Sequence, residues 1–129
     1  MRTRGDDIPV VMDALGATAR HLPDFGTAVG TLAAEHYRLE AGVDVSPLLE
    51  GLEDDHCQAP HWGYIVSGKV TVTYTGGDQE TCVAGDVVHW PAGHTVRADD
   101  DTEMVLFSPQ VDHQAVMAHM GQRLEVLTG

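Results

Sequence analysis

Between residues 69 and 75 the sequence KVTVTYT sets Val70, Val72 and Tyr74 alternately against Thr71, Thr73 and Thr75. Successive side chains of a strand point to opposite faces, so this two-residue period predicts a half-buried β-strand. TGGDQ (75–79) follows, with glycines that accept positive φ, and ETCVA (80–84) returns as the partner strand of a hairpin. GDVVHWPAGHTVRA (85–98) predicts a strand, a Pro–Gly bend and a second strand, and TEMVLFSP (102–109) predicts an apolar strand ended by Pro109. Upstream, TLAAEHYRLEAG (31–42) carries two signals. Ala33, Ala34 and Glu35 favour a helix, whereas His36, Arg38 and Glu40 alternating with Tyr37 and Leu39 favour a strand. The all-β pattern downstream decides for a strand. IPVVMD and ATARHL in the N-terminal third predict edge strands.

After Pro109 the period changes. Val116, Met120, Leu124 and Leu127 recur at three and four residues, which predicts an amphipathic helix over about 112–127, with Asp112 as its N-cap. Many short strands with glycine-rich turns and one terminal helix predict an all-β sandwich or barrel. With no repeat, linker or low-complexity segment, the 129 residues read as one domain. Its core spans about 35–109, with N-terminal strands over 1–34.

Charge narrows the choice of partners. The formal net charge is −13, with Lys69 the single lysine beside six arginines. Such a surface repels phosphate backbones and anionic lipid heads, so neither nucleic acid nor membrane is an expected partner. The chain lacks a run of about 18 apolar residues, the length a transmembrane helix requires. Asp6, Asp7 and Asp13 interrupt the N-terminal stretch where a signal peptide needs an apolar core, so the expected location is the cytoplasm. There Cys57 and Cys82 are expected as free thiols or metal ligands rather than as a disulfide.

Two stretches carry a family likeness. GDVVHWPAG holds Gly85, Pro91 and Gly93 at the spacing of the second cupin motif. HWGYIVSG ends as the first motif does, with His61 at the motif's glutamate position and Gly68 at its terminal glycine. Over roughly residues 50–109 the chain resembles a small single-domain bacterial cupin. The resemblance implies a double-stranded β-helix, or jelly-roll barrel, with the short C-terminal α-helix added.

The metal motifs depart from the family pattern. Cupins supply two histidines one residue apart, then the glutamate three or four residues later. Here those positions fall on Asp54 and His56 in one register, or on Asp55 and Cys57 in the other, and both stay open. The second motif's histidine position holds Val96; His94 stands two residues earlier, on the same strand face about 6.6 Å away. His56, Cys57, His61 and His94 are therefore the candidate metal ligands, with Asp54 or Asp55 as an added carboxylate. Three or four converging nitrogen, sulfur or carboxylate donors suit a divalent transition metal: zinc, iron, manganese or nickel. The bland reading keeps His61 as a hydrogen-bonded pocket residue, His94 as a turn cap and Cys57 as a small buried apolar group, with no metal. His21, His36, His113 and His119 read as structural or surface residues, the last two exposed on the terminal helix.

Trp62, Tyr64 and Trp90 lie close in sequence to these donors and are candidate walls of a substrate cavity, with Arg97 as a candidate anchor for an anion. No nucleophile constellation, phosphate loop or dinucleotide fingerprint is present. Two functions are carried forward. One is a metal-dependent cupin, of oxygenase or isomerase type, acting on a small organic compound. The other is a metal-free, non-catalytic module that binds a small molecule. The family resemblance further implies a homodimer.

Overall fold

In this computed structural model, which describes residues 3–25, 27, 28 and 30–129, the alternating segments fold as ten strands. They are β1 (Val10–Ala14), β2 (Ala17–Leu22), β3 (Thr27–Ala28), β4 (Gly30–Leu39) and β5 (His61–Ser67). There follow β6 (Lys69–Tyr74), β7 (Gln79–Val83), β8 (Val87–Trp90), β9 (His94–Ala98) and β10 (Thr102–Pro109). A seven-stranded sheet runs β1-β2-β4-β10-β5-β8 with β3 beside β4, and a three-stranded sheet runs β7-β6-β9. Every strand pair is antiparallel. Side chains from both sheets, among them Ile65, Leu106, Val70 and Val96, form one core, as in a jelly-roll barrel.

The ambiguous segment 31–42 is strand β4, held on both sides by β2 and β10. Pairing on both edges satisfies its whole backbone, which overrides the local helical preference of its alanines. Its parity turns Glu35, Tyr37 and Leu39 to the core and His36 and Arg38 to the opposite face, where His36 is nonetheless buried beside Gly5.

A short helix α1 (Ser46–Leu49), unforeseen in the sequence, buries Leu48 and Leu49, with Pro47 in its first turn. The terminal helix α2 (Gln110–Thr128) begins at Gln110, before the expected start. Pro109, whose ring fixes φ, occupies the N-cap position, and Asp112 lies in the first turn instead of capping it. Val116 and Met120 are buried as the period requires, while Leu127 is exposed on the last turn. No described helix is long and apolar enough to cross a membrane.

Gly63 on β5 shows why the barrel closes tightly here. A Cβ at this position would strike the Val105 carbonyl oxygen and come within 2.7 Å of the Leu106 side chain. Glycine in a strand interior marks such a close approach of neighbouring chains. Gly63→Ala is expected to cost about 2 kcal/mol of stability through overpacking, read as a lower denaturation midpoint with an unchanged m-value. Gly76→Ala, where nothing lies within 4 Å of the added carbon, serves as the space control, though its φ of +100° adds backbone strain.

Candidate metal centre

Three donors meet inside the barrel. One ligand atom from each of Cys57, His61 and His94 lies within 4.8 Å of the others, and all three residues are buried. His61 opens β5 opposite Trp90 at the end of β8, and His94 opens β9 after the Pro–Gly bend. Cys57 reaches the site from the loop before β5. Its N–H donates to the His94 carbonyl at 2.7 Å, and the Gly93 N–H donates to the Cys57 carbonyl at 2.7 Å. This isolated bridge ties the loop to β9 and sets the Cys57 thiol beside the His94 ring. Gly93 makes the bend possible: its φ is +92°, a value L side chains rarely adopt.

Hydrogen bonds fix both imidazoles. Nδ1 of His94 stands 2.8 Å from the Pro91 carbonyl, which can only accept, so Nδ1 carries the proton and Nε2 keeps its lone pair. Nδ1 of His61 lies 2.5 Å from Ser108 Oγ and 3.2 Å from Glu35 Oε1. The Ser108 hydroxyl in turn donates to Glu35 Oε2 at 2.5 Å. His61 therefore donates from Nδ1 and turns Nε2 to Cys57 Sγ, 3.8 Å away.

Glu35 is the hub behind the site and has no solvent exposure. Tyr37 donates to its Oε1 at 2.9 Å, and His113 Nε2 stands 3.1 Å from the same oxygen. Beyond it, His113 Nδ1 lies 3.0 Å from His21 Nδ1, with the two rings stacked. Burial alone would raise the Glu35 pKa, yet the neighbouring His61 and His113 hold it well below the usual carboxylate range. Burial likewise opposes a charge on His61, but the Glu35 carboxylate and the Cys57 sulfur prevail and push it up to about 10. Cys57 moves the other way: burial would raise it, but the two imidazoles bring it down to about 6. Without a metal, the site thus holds a thiolate, an imidazolium and a carboxylate in contact.

The cavity that opens on these donors is about 70 Å³. Its wall is mostly apolar and includes Met12, Met104, Met117 and Met120, every methionine of the chain except Met1. Trp90 lines it too, 1% exposed. The buried indole N–H of Trp90 makes no hydrogen bond.

Several expected site residues stand elsewhere. His56 is only half-buried, and its Nδ1 faces the Asp54 carbonyl instead of the donors. Asp54 and Asp55 are exposed in a turn, both at positive φ, and the Asp55 carboxylate accepts the Gly51 N–H at 2.9 Å. Of the two open registers, the one ending on Cys57 reaches the interior. Trp62 and Tyr64 are 45% and 47% exposed on the outer face of the large sheet, where Trp62 stacks on His89. Strand parity explains this: the residues adjoining His61 and Ile65 must point away from the cavity. Arg97 is also exposed and pairs with Asp99 at 3.2 Å, so it does not face the site.

Two buried partners escaped the sequence reading. His113 was expected on an exposed helix face but is 2% exposed, drawn inward by Glu35 and Tyr37. Glu35 was weighed only as a helix former. The signal for it was present, because the alternation that set Tyr37 and Leu39 on the apolar face placed Glu35 there as well.

The family model described as "Cupin domain" matches residues 43–110, more than half of the chain. No curated protein sequence matches. Among solved structures, an RmlC-like cupin from Shewanella frigidimarina is similar at TM-score 0.56 and 18% identity, over 83% of this chain and 88% of that one. The polyketide cyclase RemF from Streptomyces resistomycificus is similar at TM-score 0.60 and 16% identity, over 84% and 78%. Bacillus subtilis oxalate decarboxylase is similar at TM-score 0.59 and 20% identity, over 82% of this chain but 28% of that one. At these identities the likeness shows the fold. Taken with the family match over its central strands and motifs, it places the chain: the protein belongs to the cupin domain family.

Proposed function

We propose that this cupin binds a divalent transition metal through Cys57 Sγ and the Nε2 atoms of His61 and His94, and acts there on a small organic substrate. The observation that carries the reading is the convergence of three buried donors from separate segments, with both histidine tautomers set by outward hydrogen bonds. The donor set fits the group. One thiolate and two neutral imidazoles suit zinc or iron, and the buried Glu35 carboxylate with the thiolate balances a 2+ charge. Three protein ligands leave an open position, where a bound metal supplies Lewis-acid or oxygen-activating chemistry.

The protein's own residues then do the remaining work. Trp90 and the methionines exclude water and shape the space, and Met side chains adapt to irregular ligands. A cavity of about 70 Å³ is well below the roughly 300 Å³ of an ordinary ligand pocket. A substrate of more than a few heavy atoms therefore requires the methionines to yield. No lysine or arginine lines the cavity, so an anionic group finds no cationic clamp there.

Elemental analysis of purified protein beside His61→Ala tests the reading: near-stoichiometric metal in the wild type, lost in the variant, supports it. A protein that keeps its ligand affinity after chelation supports the metal-free binding module instead. Proton release gives a second test. The site without metal keeps the His61 proton up to about 10 and the Cys57 thiolate down to about 6. Metal must displace one proton between these values. Calorimetry near pH 8 is expected to report roughly one proton released per zinc bound, and a count of zero contradicts the donor assignment.

Homodimer formation belongs to the same proposal. Trp62, Tyr64, Val66 and Val87 are exposed together on the outer face of β5 and β8, which supports association between two copies. Sedimentation velocity reads this directly, with a dimer expected and a monomer at micromolar concentration opposing it.

A further inference from the structure

We propose that Glu35 is a positioning residue for the metal centre: it supplies, one step behind the ligands, the carboxylate that the family motif would place at position 61. This rests on the reading that Cys57, His61 and His94 hold a metal. The motif position itself carries an imidazole here, and the nearby acidic residues Asp54 and Asp55 point to solvent. The carboxylate comes instead from β4, outside the segment that matches the family model.

Its geometry is that of a ligand-orienting group. Glu35 Oε1 lies 3.2 Å from His61 Nδ1, and Oε2 accepts the Ser108 hydroxyl, which itself stands 2.5 Å from the same Nδ1. The two contacts come from neighbouring strands, since Ser108 of β10 pairs with Ala33 of β4. Both contacts fall on Nδ1 and so orient the ring with Nε2 turned to Cys57 and His94. Tyr37 and His113 hold the same Oε1 at 2.9 and 3.1 Å, and Ser108 holds Oε2, so the carboxylate is anchored behind the ligands. A carboxylate on the far nitrogen also makes the imidazole a stronger electron donor, and loss of such a partner costs about 10- to 100-fold in metal affinity.

The test uses the full-length protein with Zn(II) and Co(II) as the probes. Glu35→Gln keeps an acceptor oxygen but removes the charge, and Ser108→Ala removes the bridging hydroxyl. Glu35→Gln is expected to bind Zn(II) about 10- to 100-fold more weakly by chelator competition, and to shift the ligand-field bands of bound Co(II). Ser108→Ala is expected to move both readouts the same way by less, and it carries the test if Glu35→Gln does not fold. Glu103→Gln breaks a carboxylate–histidine pair at His36, on the outer face, and is expected to change neither. Affinity within about threefold of wild type in both site variants, with unchanged Co(II) bands, overturns the proposal while leaving the metal reading intact. A wild type that binds neither ion overturns both.

Discussion

Glu35→Ala is expected to lower the stability of the metal-free protein by about 4 kcal/mol. The substitution removes an acceptor shared by Tyr37, Ser108, His61 and His113, all in the interior. Each buried polar group left without a partner costs about 1–3 kcal/mol. Partial re-pairing of Tyr37 with His113, already 3.0 Å apart, keeps the total below the full sum. The pH dependence has a defined sign. Glu35 is held below its ordinary value of 4.5, so its contribution is complete above that value and fades as acid protonates the folded carboxyl. His61 is raised from 6.5 to about 10, so its contribution is complete below 6.5 and is lost as pH rises through about 10. Urea denaturation should therefore show the widest gap between wild type and variant at about pH 5–6, narrowing on either side. A variant as stable as wild type at pH 6 contradicts the network described.

Cys57→Ala is expected to produce the largest loss of metal binding. If a three-ligand site binds with about 10–16 kcal/mol, each donor carries about 3–5 kcal/mol, so affinity falls by about two to four orders of magnitude. The fold is expected to tolerate the change, because the backbone bridge to His94 is kept and the thiol makes only long contacts, 3.7 Å to the Ala59 carbonyl and 3.8 Å to His61. His56→Ala distinguishes the registers left open by the sequence. It is expected to leave affinity unchanged, because the His56 ring faces the Asp54 carbonyl outside the donor cluster. Chelator competition measures both variants, and a larger loss in His56→Ala than in Cys57→Ala reverses the assignment.

The middle strands were legible in the sequence from the two-residue period of residues 69–75 and from the turns around them, whereas β4 was decided only by its all-β surroundings. The barrel followed from their number, from the glycine turns and from the cupin spacing of Gly85, Pro91 and Gly93. His61 could be singled out by its place at the first motif's glutamate position, and His94 by standing two residues before the second motif's histidine position, on the same strand face. What the sequence left open depends on contacts between distant segments. The choice between His56 and Cys57 is made by an isolated bridge to His94, 37 residues away, which no local pattern records. Trp62 and Tyr64 are near the donors along the chain, yet the pleat sends them to the opposite face. His113 looks like an exposed helix residue until the helix is laid over β4, where Glu35 and Tyr37 wait for it. Glu35 itself was hidden by a conflict of local signals: its alanine-rich neighbours spoke for a helix, which has no inward strand face to place it on.

X-ray absorption at the edge of the bound metal tests the centre most directly. One sulfur at about 2.3 Å and two imidazole nitrogens at about 2.0–2.1 Å are expected in the wild type, with the sulfur missing in Cys57→Ala. A shell of oxygens alone, unchanged by the substitution, contradicts the account.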